Sequence, residues 1–139
     1  MFENSIFLSI IGFLIILTPL VFIHELGHYI AAIRCGVKVE IFSIGFGKEI
    51  FGFNDQKGTR WKFCILPFGG YVKMKGELLV DDKQIEKKEK NRGEFGNASL
   101  LARFLIVLSG PLANVFLGIL LISLIYNFNG RIDSKPVVG

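Results

Sequence analysis

Two histidines and a glutamate stand close together in His24-Glu25-Leu26-Gly27-His28, and the chain contains no other histidine. On a helix, residues four apart lie on one face a turn from each other. The segment therefore fits the H-E-x-x-H pattern, in which paired imidazoles bind Zn2+ and the glutamate sits beside the metal. Alone, the pattern points to a zinc hydrolase. Cys35 and Cys64 are far apart in sequence and form no C-x-x-C pair, so each reads as a small, reduced, partly buried residue.

The elements that must position these residues are unusually apolar. The chain has 139 residues, 51% of them hydrophobic, and a mean hydropathy of +0.51, which is too apolar for an ordinary water-soluble domain. Ser5 to Ile23 offers 19 consecutive uncharged residues, enough at about 1.5 Å per residue to cross a ~30 Å hydrocarbon core. The motif follows directly, and an ionisable cluster at membrane depth points to function. A cleaved signal peptide fits poorly, because Glu3 and no Lys or Arg precedes the run. Pro19 removes one helical hydrogen bond, for a bend beside the motif or for packing. Gly27 either permits close helix approach or is an ordinary membrane-helix glycine. Phe104 to Phe128 adds 25 uncharged residues, a second span. Within it Gly110-Pro111 and Asn114 break the aliphatic pattern, and Asn114 points either at a neighbouring helix or at the site.

Between the spans the chain changes character. From Arg34 to Arg103 there are 14 Lys or Arg against 9 Asp or Glu, so the positive-inside bias places this stretch in the cytoplasm and both termini on the other side. The formal charge of +4 is thereby explained by topology, and no motif supports nucleic-acid binding. Val37 to Ile44 and Thr59 to Leu66 alternate apolar with polar residues and predict two strands. Asn54 to Gly58 has turn chemistry, which makes a hairpin. Gly45-Phe46-Gly47 and Pro67-Phe68-Gly69-Gly70-Tyr71 interrupt the strands, as turns and bulges or as a sheet edge offered to an extended peptide. Asp81 to Arg92 is a solvated linker. The expected fold is an α-helical membrane protein with two transmembrane helices and an intervening cytoplasmic-side, membrane-associated β-hairpin or small sheet. Its parts are a first helix over 1–33, the hairpin region over 34–80, a linker over 81–99, a second helix over 100–128 and a tail over 129–139.

Taken together, His24 to His28, Arg34-Cys35-Gly36-Val37, Phe42 to Gly47, Leu66 to Met74 and Gly110-Pro111-Leu112-Ala113-Asn114 resemble the site-2 protease family of intramembrane zinc metalloproteases. The resemblance is to its bacterial branch with periplasmic PDZ domains, and it covers nearly the whole chain. It implies Zn2+ held by His24 and His28, with Glu25 as the catalytic general base. It implies substrate-engaging β elements at Gly45, Phe46, Gly47, Gly69 and Gly70, with Asn114 near the substrate path. The substrates implied are transmembrane proteins, such as an anti-sigma factor or a leftover signal peptide, cut within the bacterial inner membrane. Pro136 to Gly139 resembles the opening of a PDZ region.

One departure stands out. The family's third zinc ligand is an aspartate on a later span, and none of Asp55, Asp81, Asp82 or Asp133 is a convincing substitute. The expectation is therefore an N-terminal portion whose PDZ region and later spans are missing. The alternative is a catalytically incomplete membrane fragment that binds helices or substrate without cleavage.

Overall fold

The computed structural model describes residues 2–76 and 93–129. The linker over 81–92 and the tail beyond Asn129 lie outside the described residues. Helix α1 spans Phe2–Arg34, strand β1 Val39–Asn54, strand β2 Arg60–Met74 and helix α2 Leu100–Asn129, with a short 3-10 turn at Phe95–Asn97 before α2.

Helix α1 runs unbroken through Pro19. It stops at a glycine cap: Gly36 takes φ +76°, its N–H donates to the Ile33 carbonyl at 3.1 Å, and the Val37 N–H donates to the Ala32 carbonyl at 2.9 Å. This double closure satisfies carbonyls the helix end would leave open, and it needs a residue at ease in the left-handed region. Val37 and Ala32, thus brought together, join Val39, Met74 and Ile106 in a small buried core. That core ties the end of α1 to both strands and to α2. Elsewhere the helices turn Ile, Leu and Phe side chains outward, and each has a 29-residue stretch long and apolar enough to cross a membrane.

The strands are longer than the alternation alone predicts. Gly45, Gly47 and Gly69 all take positive φ, so the glycine-rich stretches bend the strands without ending them. The bends let one segment pair twice. Ile41 to Ile44 faces Arg60 to Phe63 on one side and Lys73 to Gly70 on the other, while Glu49 to Asn54 returns along Cys64 to Arg60. Two bent strands thereby lay four short segments side by side, a compact sheet instead of a long arm.

The sheet docks on α1 through aromatic rings. Phe42 is fully buried, stacks on Trp61 at 4.2 Å and meets the edges of Tyr29 at 5.7 Å and Phe22 at 5.9 Å. Burying such a side chain contributes about 1.5–3 kcal/mol. At the hairpin turn Asp55 accepts from the Tyr29 hydroxyl at 2.8 Å, from Trp61 Nε1–H at 3.3 Å, and from the backbone N–H groups of Lys57 and Thr59. Its carboxylate is committed to holding the turn on α1, so it is no metal ligand here.

Desolvation alone would raise the Asp55 carboxyl, but the bonds from Tyr29, Thr59, Trp61 and Lys57 outweigh it and leave the group below the ordinary carboxylate value. A depressed native value means that the contribution is full above the unfolded value of about 3.9 and is lost as pH falls through the lower native one. Fluorescence of Trp61, the sole tryptophan, should therefore hold steady from neutral pH down to about 4 and change only below it. In Asp55→Asn the low-pH step should vanish. A step retained in that variant would show that another group holds the turn.

Candidate metal centre

The helices meet where small residues let them. A Cβ at Gly27 would lie 2.9 Å from the Ala113 Cβ and closer still to the Ser109 carbonyl oxygen, so close helix approach is its role in this fold. With the helices antiparallel, Ile106, Gly110 and Asn114 of α2 follow each other four residues apart along the face that meets His28 and His24. Each of the three touches an imidazole.

The His28 Nδ1–H donates to the Ile106 carbonyl oxygen at 2.7 Å. A carbonyl can only accept, so the proton is on Nδ1 and the Nε2 lone pair is left for another partner. The Ser109 hydroxyl also donates to this carbonyl, at 2.6 Å. His24 is held at its other end by Asn114, whose side-chain nitrogen lies 3.2 Å from Nδ1. The two Nε2 atoms then face each other at 3.2 Å.

That separation bears on whether a metal fits. Two nitrogens bound to one tetrahedral Zn2+ at about 2.0–2.1 Å stand roughly 3.3 Å apart. Above the pair lies Gly110, and a Cβ there would sit 2.8 Å from His24 Nε2 and closer to His28 Nε2. The glycine thus leaves room beside the two Nε2 atoms. The donor set, two imidazoles with a fixed outer hydrogen bond on at least one, has the chemistry of a zinc site. Among the described residues no group of three or more His, Cys, Asp and Glu side chains gathers around a common point.

Beside the pair is a cavity of about 260 Å³, lined by Glu25 and His28 and walled by Gly70, Tyr71, Val72 and Met74 of β2, Phe95, and Ile106 and Val107 of α2. Gly70 lets β2 come this near, since a Cβ on it would be 3.3 Å from both the Glu25 and Val21 side chains. Pro111 lacks the N–H that would reach back to the Val107 carbonyl, loosening the helix ladder at the cavity wall.

Of the residues singled out from the sequence, His24, Glu25, His28, Gly70 and Asn114 come together here. Gly69 lies under the Phe46 ring. Phe46 in turn stacks on Tyr71 with centroids 6.2 Å apart, one ring removed from the cavity. Gly45 and Gly47 form the β1 bend, Gly45 against the Leu66 backbone, and neither lines the cavity. Sequence reasoning missed Phe95, Met74 and Ile106. Phe95 follows the charged linker with no pattern to mark it, whereas the spacing of Ile106, Gly110 and Asn114 was a usable signal.

The sequence matches that of peptidase family M50 over residues 12–136. It is 50% identical, over 95% of this chain and 37% of the relative, to a Rickettsia conorii protein bearing the name of a zinc metalloprotease. A similarly named protein of Mesorhizobium japonicum is 39% identical over 94% of this chain and 38% of its own length. Protease RseP of Yersinia pestis is 38% identical over 97% of this chain and 29% of its own length. The chain thus spans between a quarter and two-fifths of these relatives.

Proposed function

Because the chain belongs to peptidase family M50, we propose that it supplies the metal-binding helix, the general base and part of the substrate cleft of a zinc-dependent protease working within a membrane. The observation that carries this is the pair of Nε2 atoms 3.2 Å apart at the rim of a cavity that Glu25 also lines. The relatives' zinc metalloprotease names support the metal. The third protein ligand is assigned to a segment beyond residue 139, the aspartate on a later span that the family resemblance implies.

The substrates are transmembrane proteins of the anti-sigma-factor or signal-peptide kind, cut in or near their spans, and α1 and α2 cross the bacterial inner membrane with the hairpin on the cytoplasmic side. The outward apolar faces of both helices support insertion. Gly45, Phe46, Gly47, Gly69 and Gly70 form the sheet that receives an unwound substrate strand, delivering its backbone past Gly70 to the cavity. A PDZ region follows the second span.

His24 and His28 would hold Zn2+, which would supply Lewis-acid polarisation of a carbonyl and a more acidic water. Glu25, which lines the cavity, would take the proton of the attacking water onto its carboxylate and pass it to the leaving amine. Ile106 fixes the ring of His28 by its carbonyl, and Val72, Met74, Phe95, Ile106 and Val107 present an apolar wall to the substrate side chain beside the cut. The test is cleavage of a membrane-embedded reporter by the protein expressed from its complete gene. Cleavage should fall to background with a zinc chelator and return when zinc is restored. Cleavage indifferent to chelation would remove zinc from the reading, and chelator-independent binding without any cleavage would favour the incomplete-fragment alternative.

A further inference from the structure

Three hydrogen bonds run in series through the histidine pair. His28 holds its proton on Nδ1, against the Ile106 carbonyl at 2.7 Å, so its Nε2 is an acceptor. The 3.2 Å contact with His24 Nε2 is therefore a hydrogen bond only if His24 carries its proton on Nε2. Its Nδ1 is then a bare lone pair and must be met by a donor. The nitrogen of the Asn114 amide stands there, 3.2 Å away. The series Asn114 to His24 to His28 to Ile106 is closed in one direction only.

A metal ion on the two Nε2 atoms is incompatible with that direction. His24 must give up its Nε2 proton, and a neutral imidazole then carries it on Nδ1, where the Asn114 amide hydrogens would oppose it. The other end of the same amide resolves the conflict. Asn114 Oδ1 is buried and has no hydrogen-bond partner, and an amide turned about its last bond exchanges oxygen for nitrogen with little change of shape. An unpartnered buried carbonyl is costly, and this one belongs to the group that faces the ligand histidine.

We propose that Asn114 is a positioning residue for His24: its amide donates to Nδ1 in the metal-free site and turns to accept from Nδ1–H when Nε2 takes the metal. No proton is gained or lost by His24 in the exchange. It leaves Nε2 and one is taken up on Nδ1, through water, as the amide rotates. This rests on the zinc reading for its second half, while the first half concerns the metal-free chain alone. Asn, unlike Asp or Leu, serves both states.

The chain's two histidines make the test direct. In detergent, with histidine labelled by nitrogen-15 and at a pH where imidazole is neutral, long-range nitrogen–proton spectra report which ring nitrogen carries the proton. Metal-free wild type should show His24 protonated on Nε2 and His28 on Nδ1. Asn114→Asp, which can only accept, should move the His24 proton to Nδ1 and leave His28 unchanged. In protein from the complete gene, Asn114→Leu should weaken zinc binding by about 10- to 100-fold, with Asn114→Asp at or near wild-type affinity. An unchanged His28 signal shows that a variant has folded, and if the Leu variant fails that check the Asp comparison decides. The proposal is overturned if His24 keeps one tautomer in wild type and Asn114→Asp, or if a folded Asn114→Leu binds zinc as wild type does. Loss of the zinc reading would appear separately, as wild type from the complete gene binding no zinc.

Discussion

Glu25→Gln should leave zinc bound and lower cleavage by about 10²- to 10⁴-fold, the usual contribution of a positioned general base. The substitution keeps the length and polarity of the side chain, so Gly70, whose absent Cβ makes room for Glu25, still packs as before. What it removes is a carboxylate that can hold a proton. Neither imidazole can substitute, because each is tied by its own hydrogen bonds, His28 to Ile106 and His24 to Asn114. The measurement is the cleavage rate of a membrane-embedded reporter together with zinc content per protein. Full zinc with the rate collapsed assigns the proton transfer to Glu25. A rate within a few-fold of wild type would remove it from that role, and loss of zinc would mean that it acts on the metal's binding instead.

Much of this arrangement is legible in the sequence for simple reasons. An uninterrupted apolar run has one compact solution, so α1 and α2 appear where Ser5 to Ile23 and Phe104 to Phe128 lie, α2 with a few flanking residues added and α1 continuing through the motif to Arg34. The helical repeat by itself puts His24 and His28 on one face. The hairpin turn is legible too, because Asp55 bonding the N–H groups of Lys57 and Thr59 is local chemistry. What stays hidden depends on contacts between distant segments. Strand ends are misleading because a glycine with positive φ reads as an end in sequence but serves as a bend when both flanks find partners, as around Gly45 and Gly69. Phe95 reaches the cavity only because its backbone N–H donates to the Lys75 carbonyl and its ring packs on the small core of Ala32, Val37, Val39, Met74 and Ile106. Gly27 and Gly110 look like any membrane-helix glycine until the opposite helix is in place.

Gly110 gives the sharpest test of that opposite helix. Gly110→Ala should weaken zinc binding by about 10- to 100-fold and destabilise the fold by about 1–3 kcal/mol, the usual range for overpacking a tight contact. The added methyl would stand 2.8 Å from His24 Nε2 and 2.6 Å from His28 Cε1, so the rings must turn or the helices part. Turning His28 breaks its bond to Ile106, while parting the helices opens the contact of Gly27 with Ser109 and Ala113. Gly118 is the matched control on the same helix, since a Cβ there meets nothing within 4 Å. Gly118→Ala should bind zinc as wild type does and, by helix propensity alone, be as stable or up to about 1 kcal/mol more so. Zinc competition and thermal unfolding in detergent, on protein from the complete gene, read both effects. If Gly110→Ala matches Gly118→Ala in zinc affinity, the ring nitrogens do not lie against α2 at that turn. The antiparallel contact that brings Ile106, Gly110 and Asn114 to the two histidines would then be wrong, and with it the structural basis for the metal centre.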